Sequence, residues 1–265
     1  MTTLFKKLRY AAYLLLGKID MLIGRENKLF VMCYHEISTS KWPHAVKVST
    51  FKKHISYLMN SGYTFITPQE FEDYLYSNTI LPEKSVLLTF DDGCKSLLNV
   101  TDFLKEKRIV PIVFVLSDIA HADLKQIGLS GRKFMSVKDI KFLKKNGWTI
   151  GCHSATHSDF YRITDVEKET SKSVKFLSEK LSHEVRYFAY PRGRYTKEIQ
   201  KKLKKAGIKI AFSMDDGKIN LMTDRFAIPR IAYTSSHSFN EFKYSFAPSV
   251  VAMRSIVKKL FNRYL

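Results

Sequence analysis

The feature that most constrains this chain is a rhythm: apolar runs of four to six residues alternate with longer segments of helical period from residue 29 to residue 231. A continuous apolar run has no polar face to offer water, so a strand built from it is covered on both sides, as in a parallel sheet wrapped by helices. The runs fall at 29–34, 63–66, 86–90, 112–116, 148–152, 187–190, 208–212 and 226–231. One helix is expected after the cap residues Ser49 and Thr50, running to Met59 with Gly62 just beyond. Others are expected at 68–76, 95–107, 137–145, 165–181 and 197–205, the last closed by Gly207. Such a pattern predicts an α/β fold, a (β/α) barrel of about seven units that is either distorted or incompletely closed, with its chemistry at the C-terminal strand ends.

Polar, metal-capable residues stand where the apolar runs stop. Run 86–90 leads into Asp91-Asp92-Gly93, run 148–152 into His153 and run 29–34 into His35, while run 226–231 carries Arg230. Taken singly, each has an ordinary reading: Asp-Asp-Gly makes turns, a histidine pair caps loops, and an arginine pairs on a rim. Side chains of adjacent strand residues point to opposite sides, so Asp91 and Asp92 are expected to divide the work rather than chelate one ion together. His153-Ser154-Ala155-Thr156-His157 offers two imidazoles, and two histidines with one carboxylate suffice for a catalytic zinc with an open position.

Together, Thr89-Phe90-Asp91-Asp92-Gly93 and His153-Ser154-Ala155-Thr156-His157 resemble the first two motifs of the polysaccharide deacetylases, the NodB-homology or carbohydrate esterase family 4 enzymes. The resemblance implies a hydrolase that removes the N-acetyl group of an N-acetylated amino sugar in a polysaccharide or a lipid-linked glycan, releasing acetate. It implies Asp91 as general base and Asp92, His153 and His157 as ligands of a divalent metal, zinc first, with cobalt or nickel acceptable to the same donors. Residues 186–193 look like the family's proline-glycine loop, which would place Tyr190, Pro191 and Gly193 against the substrate and a backbone donor to the oxyanion at Tyr190. The family's leucine-x-histidine motif is not found near the C-terminus. Instead His35-Glu36-Ile37 resembles the opening of the poly-N-acetylglucosamine deacetylase branch, whose elements are permuted and whose histidine serves as general acid, and Ile228-Pro229-Arg230-Ile231 fits the same branch. His237 remains a rival acid. If Arg230 reaches Asp91, it holds that base ionised. The resemblance covers roughly 29–233.

Composition bears on partners. The formal charge is +19, with lysines gathered at 138–145 and 197–205. Either these are solvated helix faces or the partner is anionic: a membrane surface, a phosphorylated substrate or nucleic acid. No nucleic-acid module accompanies the charge, so no nucleic acid is expected. Residues 4–24 carry Lys6, Lys7 and Arg9 before the apolar run 10–16, which Lys18 and Asp20 follow. That stretch is too short and charged to span a bilayer; a helix on a membrane surface, a helix packed on the core and a signal segment all remain open. Residues 250–265, with Arg254, Lys258, Lys259 and Arg263, read similarly. The plan is therefore a basic amphipathic segment at 1–28, a deacetylase domain at 29–240 and a basic amphipathic helix at 241–265. Cys33, Cys94 and Cys152 each adjoin a candidate catalytic segment and favour a reducing compartment, hence a cytoplasmic enzyme peripheral to the membrane; export to the cell envelope is the alternative. Trp42, Tyr63 and Tyr195 are either core aromatics or platforms for sugar rings. A catalytically inactive glycan-binding barrel is the rival class.

Overall fold

The computed structural model describes residues 3–261. Its first elements are α1 (Thr3–Leu22), β1 (Leu29–Tyr34), the short β2 (Glu36–Ile37) and β3 (Ala45–Val46), and α2 (Val48–Asn60). There follow β4 (Thr64–Phe65), α3 (Pro68–Ser77), β5 (Ser85–Phe90), α4 (Thr101–Glu106), β6 (Ile112–Val115) and α5 (Val137–Lys145). The second half holds β7 (Thr149–Cys152), α6 (Ser173–Leu181), β8 (Tyr187–Ala189), α7 (Lys197–Lys205), β9 (Ile210–Phe212), β10 (Ile231–Ala232), α8 (Phe239–Tyr244) and α9 (Pro248–Phe261). Seven strands run parallel in the order β10-β1-β5-β6-β7-β8-β9, and β4 joins the start of β5. The sheet curls into a barrel that stays incompletely closed. Between β9 and β10 no ladder forms among the described residues: Phe212 and Ile228 make an isolated bridge, flanked by single hydrogen bonds from the Ala211 N–H to the Arg225 carbonyl and from the Arg230 N–H to the Asp215 carbonyl. The expected strand 226–231 is thus broken, and Pro229 accounts for it, since proline has no N–H to give a ladder.

Parity along the strands decides which side chains meet. Val31, Leu87, Phe114, Ala189 and Phe212 fill the barrel interior, while their neighbours Met32, Leu88, Val113, Phe188 and Ala211 pack outward under the helices. The N-terminal end of the barrel is closed by α3, started by a capping box between Thr67 and Glu70, which sends Phe71 and Leu75 into the interior cluster. Some helix boundaries differ from expectation. The cap of α2 is Lys47, without a side-chain bond, so Ser49 and Thr50 lie inside its first turn. The span 95–107 opens as a 3-10 turn before α4, and 165–181 opens as a wide π turn at 168–172 before α6.

At the chain's start, α1 lies on α8 and α9. Gly17 permits this: a Cβ there would stand 2.3 Å from the Tyr244 ring. Asp20, 1% exposed, accepts from the backbone N–H of Ser249 at 2.6 Å and from its hydroxyl at 2.8 Å, placing a carboxylate at the N-terminus of α9. One face of α1 therefore caps the fold. The other leaves Leu4, Leu8, Leu15 and Leu22 exposed. No described helix is long and apolar enough to cross a membrane. Arg263 lies outside the described residues.

Candidate active site

The parity that fills the barrel also brings Cys33, Thr89, Asp91 and His153 to its C-terminal mouth. Arg230, fully buried, grips Asp91 with both ends of its guanidinium: Nη1 donates to Oδ1 and Nη2 to Oδ2, each at 2.7 Å. The arginine is itself anchored by Nε on the Ser213 carbonyl and by Nη1 on Thr89 Oγ1. Burial alone would raise the Asp91 pKa, but the adjacent Arg230 outweighs it and, with His153, holds the carboxyl down at about 2. Asp91 is a permanently charged, oriented carboxylate.

Asp92 does not point to the opposite side as strand alternation predicted. It adopts the left-handed conformation, φ 67°, and so turns back into the same mouth. Gly93 follows at φ 67°, where a Cβ would press on Val115 at 3.0 Å. Asp92 Oδ1 is 3.4 Å from His153 Nε2 and 3.6 Å from His157 Nε2, and has no hydrogen-bond donor among the described residues. His153 donates Nδ1–H to the Ala189 carbonyl at 2.8 Å, which makes Nε2, facing Asp92, the ligand nitrogen of the neutral ring. Burial lowers the pKa of this ring, but the adjacent Asp91 and Asp92 outweigh burial and raise it. His157 is held by its loop: its N–H donates to Ser154 Oγ, and the buried Glu169 accepts from the N–H groups of Ala155 and Thr156 and from the Thr156 hydroxyl. Burial pushes His157 down to about 4, so it stays neutral, as a ligand must.

One atom from each of Asp92, His153 and His157 lies within 4.8 Å of the others, so the three can hold a metal ion. An undonated buried carboxylate oxygen facing two imidazole nitrogens fits a divalent cation. Cys33, His35 and Asp91 also cluster within 4.8 Å, but they fit poorly as ligands: both Asp91 oxygens are held by Arg230, and burial pushes the Cys33 thiol well above its usual range.

Half-buried His35 stands beside Asp91, with its ring 4.8 Å from His44 and 5.9 Å from Trp42. His44 was missed by sequence reasoning because no apolar run precedes it; its one signal was its place beside Trp42-Pro43. Burial, and then His35, push His44 down to about 4.

Tyr190 does not offer the backbone donor that the proline-glycine loop suggested. Its N–H donates to the Phe212 carbonyl at 3.0 Å as a continuation of the sheet, and its side chain faces outward and donates to the Phe226 carbonyl. Pro191 has no N–H, so the first loop donor beyond the sheet belongs to Arg192, at φ 57°. Gly193 is required where it stands, since a Cβ would meet the Met214 backbone N at 2.5 Å. His237 accepts from Thr234 through Nδ1, and burial pushes it down to about 3. Of the three aromatics, only Trp42 stands beside His35. Tyr63 packs with Phe30 and Phe246 in the outer core, and Tyr195 stacks on Tyr190. All three cysteines are free and buried, but of them only Cys33 touches Asp91; Cys152 faces Ser173 under α6, and Cys94 pairs with Phe134 through the backbone.

An open (β/α) barrel with a charged carboxylate beside an Asp-His-His triad able to hold a metal, both at the strand ends, is the architecture of a metal-dependent hydrolase. Residues 78–211 match the polysaccharide deacetylases, and the chain belongs to that family. A poly-beta-1,6-N-acetyl-D-glucosamine N-deacetylase of Staphylococcus aureus is 25% identical over 237 residues, 78% of this chain and 79% of its own length. The structure of IcaB from Ammonifex degensii is similar with a TM-score of 0.68 at 27% identity, covering 87% of this chain and 98% of that one. The deacetylase PplD of Streptococcus pyogenes, solved with acetate, gives a TM-score of 0.70 over 84% of this chain and 100% of that one; at 22% identity the likeness is one of fold. His35 and Arg230 fall outside the residues of the family match.

Proposed function

We propose that the chain hydrolyses the acetamide of N-acetylglucosamine units in a glycan, with zinc held by Asp92, His153 and His157. The observation that carries this reading is the division of labour between two adjacent carboxylates: Asp91 is saturated by Arg230, and Asp92 keeps an undonated oxygen facing two imidazoles. When bound, the ion lowers the pKa of water and polarises the acetamide carbonyl. Asp91, held ionised, removes the water's proton. His35, beside Asp91 at the mouth, protonates the departing amine, and the N–H of Arg192, not that of Tyr190, donates to the oxyanion. The sugar is suggested by the name of the Staphylococcus aureus relative. The inactive-barrel reading is not favoured, since the chain belongs to the deacetylase family and the residues that would serve as base, ligands and acid gather at one mouth. We further place the enzyme peripherally on an anionic membrane surface in a reducing compartment. The exposed leucines of α1, the neighbouring Lys6, Lys7 and Lys18 and the three free cysteines support this.

The test is acetate release from an N-acetylglucosamine oligomer by zinc-loaded protein beside the Asp92→Ala variant, with metal content measured in both. Release by the wild type alone, with metal lost from the variant, is expected. Equal release by both would remove Asp92 from the mechanism, and no release by a wild type with zinc bound would favour the glycan-binding alternative.

A further inference from the structure

A cavity of about 630 Å³ lies between α1, α9 and the catalytic mouth. It meets the site at His35 and His44, while the metal triad does not line it. Its far wall is apolar, formed by Phe5, Leu8 and Ala12 of α1 and by Met253 and Val257 of α9. Five cations also line it, Arg9, Arg192, Arg194, Arg254 and Lys258; Arg9 pairs with Glu241 and Arg194 with Asp159, but among the described residues no Asp or Glu lines the cavity itself. Just behind the wall, Arg254 and Lys258 both pair with Asp216, at 2.9 and 2.6 Å. Nη1 of Arg254 is buried without a hydrogen-bond acceptor. Arg192 is exposed and makes a 3.4 Å contact with the Gln126 carbonyl.

The apolar wall does not stop at the cavity. Leu8 is 61% exposed and belongs to a stripe with Leu4, Leu15 and Leu22, at helical spacing along the outer face of α1. A neutral, water-soluble glycan has no use for this combination of hydrocarbon wall, cationic lining and external apolar stripe. An amphiphile with an anionic joint uses all three.

We propose that the cavity receives the phosphate and first carbons of a lipid phosphate that carries the N-acetylated amino sugar. The sugar is directed past His35 toward Asp91, and the remaining hydrocarbon lies along the α1 stripe. A cavity of this size holds a drug-sized group, hence the joint and not the whole lipid. The inference rests on the deacetylase reading and names its substrate class.

The test uses zinc-loaded full-length protein and three N-acetylglucosamine compounds kept below their aggregation limits: the methyl glycoside, the methyl phosphodiester and the farnesyl phosphodiester. Acetate release is expected to rise in kcat/KM at each step, with about a 10-fold or greater gain from methyl to farnesyl phosphate, equivalent to about 1.4 kcal/mol. In Leu8→Glu/Val257→Glu the farnesyl-to-methyl ratio should fall toward one. Calorimetry with farnesyl monophosphate, which carries no sugar, should show binding to the wild type and none to the double variant, independently of turnover. Equal kcat/KM for the two phosphodiesters would overturn the lipid assignment, and equal values for methyl phosphodiester and methyl glycoside would overturn the phosphate assignment. Acetate from the glycoside alone would leave the deacetylase reading standing and refute this one; no acetate from any compound would refute both.

Discussion

The two ends of the barrel each hold a buried carboxylate gripped by an arginine, and only one of them is a site. At the N-terminal end, Glu72 on α3 accepts from Arg186 through Oε1 and from the Tyr187 hydroxyl through Oε2 at 2.8 Å. Phe71 and Leu75 of the same helix seal it from below. At the C-terminal end, Arg230 holds Asp91 just as firmly, but Asp92 Oδ1 beside it has no donor, and His35 Nδ1 and His44 Nδ1 also lack partners among the described residues. A buried ion pair marks function only where unsatisfied ligand atoms gather next to it; elsewhere it is a tether.

The comparison breaks most sharply on Asp91→Asn. Loss of a general base is expected to cut kcat by about 10²–10⁴-fold, with zinc content, read by atomic absorption, unchanged because Asp92, His153 and His157 remain. A variant that loses its zinc would mean that the two aspartates have been assigned in reverse. Arg230→Met should come next. It strands a buried carboxylate, so a stability loss of about 3–5 kcal/mol in urea unfolding is expected, and in the surviving folded protein the acid limb of the pH–rate profile should move upward, because Asp91 loses the cation that holds it near 2. An unmoved limb would deny Arg230 its role in charging the base. The mirror experiment is Glu72→Gln. Arg186 is partly solvated, with 31% of its side chain exposed, so the expected loss is smaller, about 2–3 kcal/mol, and kcat per folded molecule should stay at the wild-type value. A lower kcat would show that the plugged end communicates with the mouth.

How much of this was legible beforehand follows from where the determinants lie. The strands and the mouth residues Asp91, His153 and His35 could be read because apolar runs and their ends are local patterns. The Arg230 grip on Asp91 was anticipated from residue type and resemblance, although the two lie 139 positions apart. The turn that swings Asp92 inward was not legible. Alternation predicts an outward side chain, and only a positive φ at a non-glycine residue reverses it. Tyr190 misled for a similar reason, since its N–H serves the ladder to Phe212, a pairing that no window around residue 190 reveals. His44 and Glu169 were invisible because each acts across space, one on the His35 ring and one on the 155–158 backbone. Nor could the sequence decide between resting on a membrane and packing on the core for α1, because the helix packs with one face and exposes leucines on the other.

The smallest effect separates the two ends by pH. No histidine contacts Glu72 among its hydrogen-bond partners, whereas the mouth carries His44, whose folded pKa is about 4 against an ordinary value of 6.5. A histidine with a depressed folded pKa contributes stability that is present above about pH 6.5 and is lost as pH falls toward 4. For His44 the loss at pH 5 amounts to at most about 2 kcal/mol. His54 and His237, also held neutral by burial at about 3, add to the acid loss wherever the mouth is mutated and so set a common background. The measurement is therefore a difference: urea unfolding at pH 7 and pH 5 for wild type and His44→Gln. The variant should lose less stability over that interval, while Glu72→Gln should follow the wild-type slope. Parallel lines for wild type and His44→Gln would mean that His44 takes up its proton freely in the folded protein, and the mouth would then be no more sensitive to acid than the sealed end.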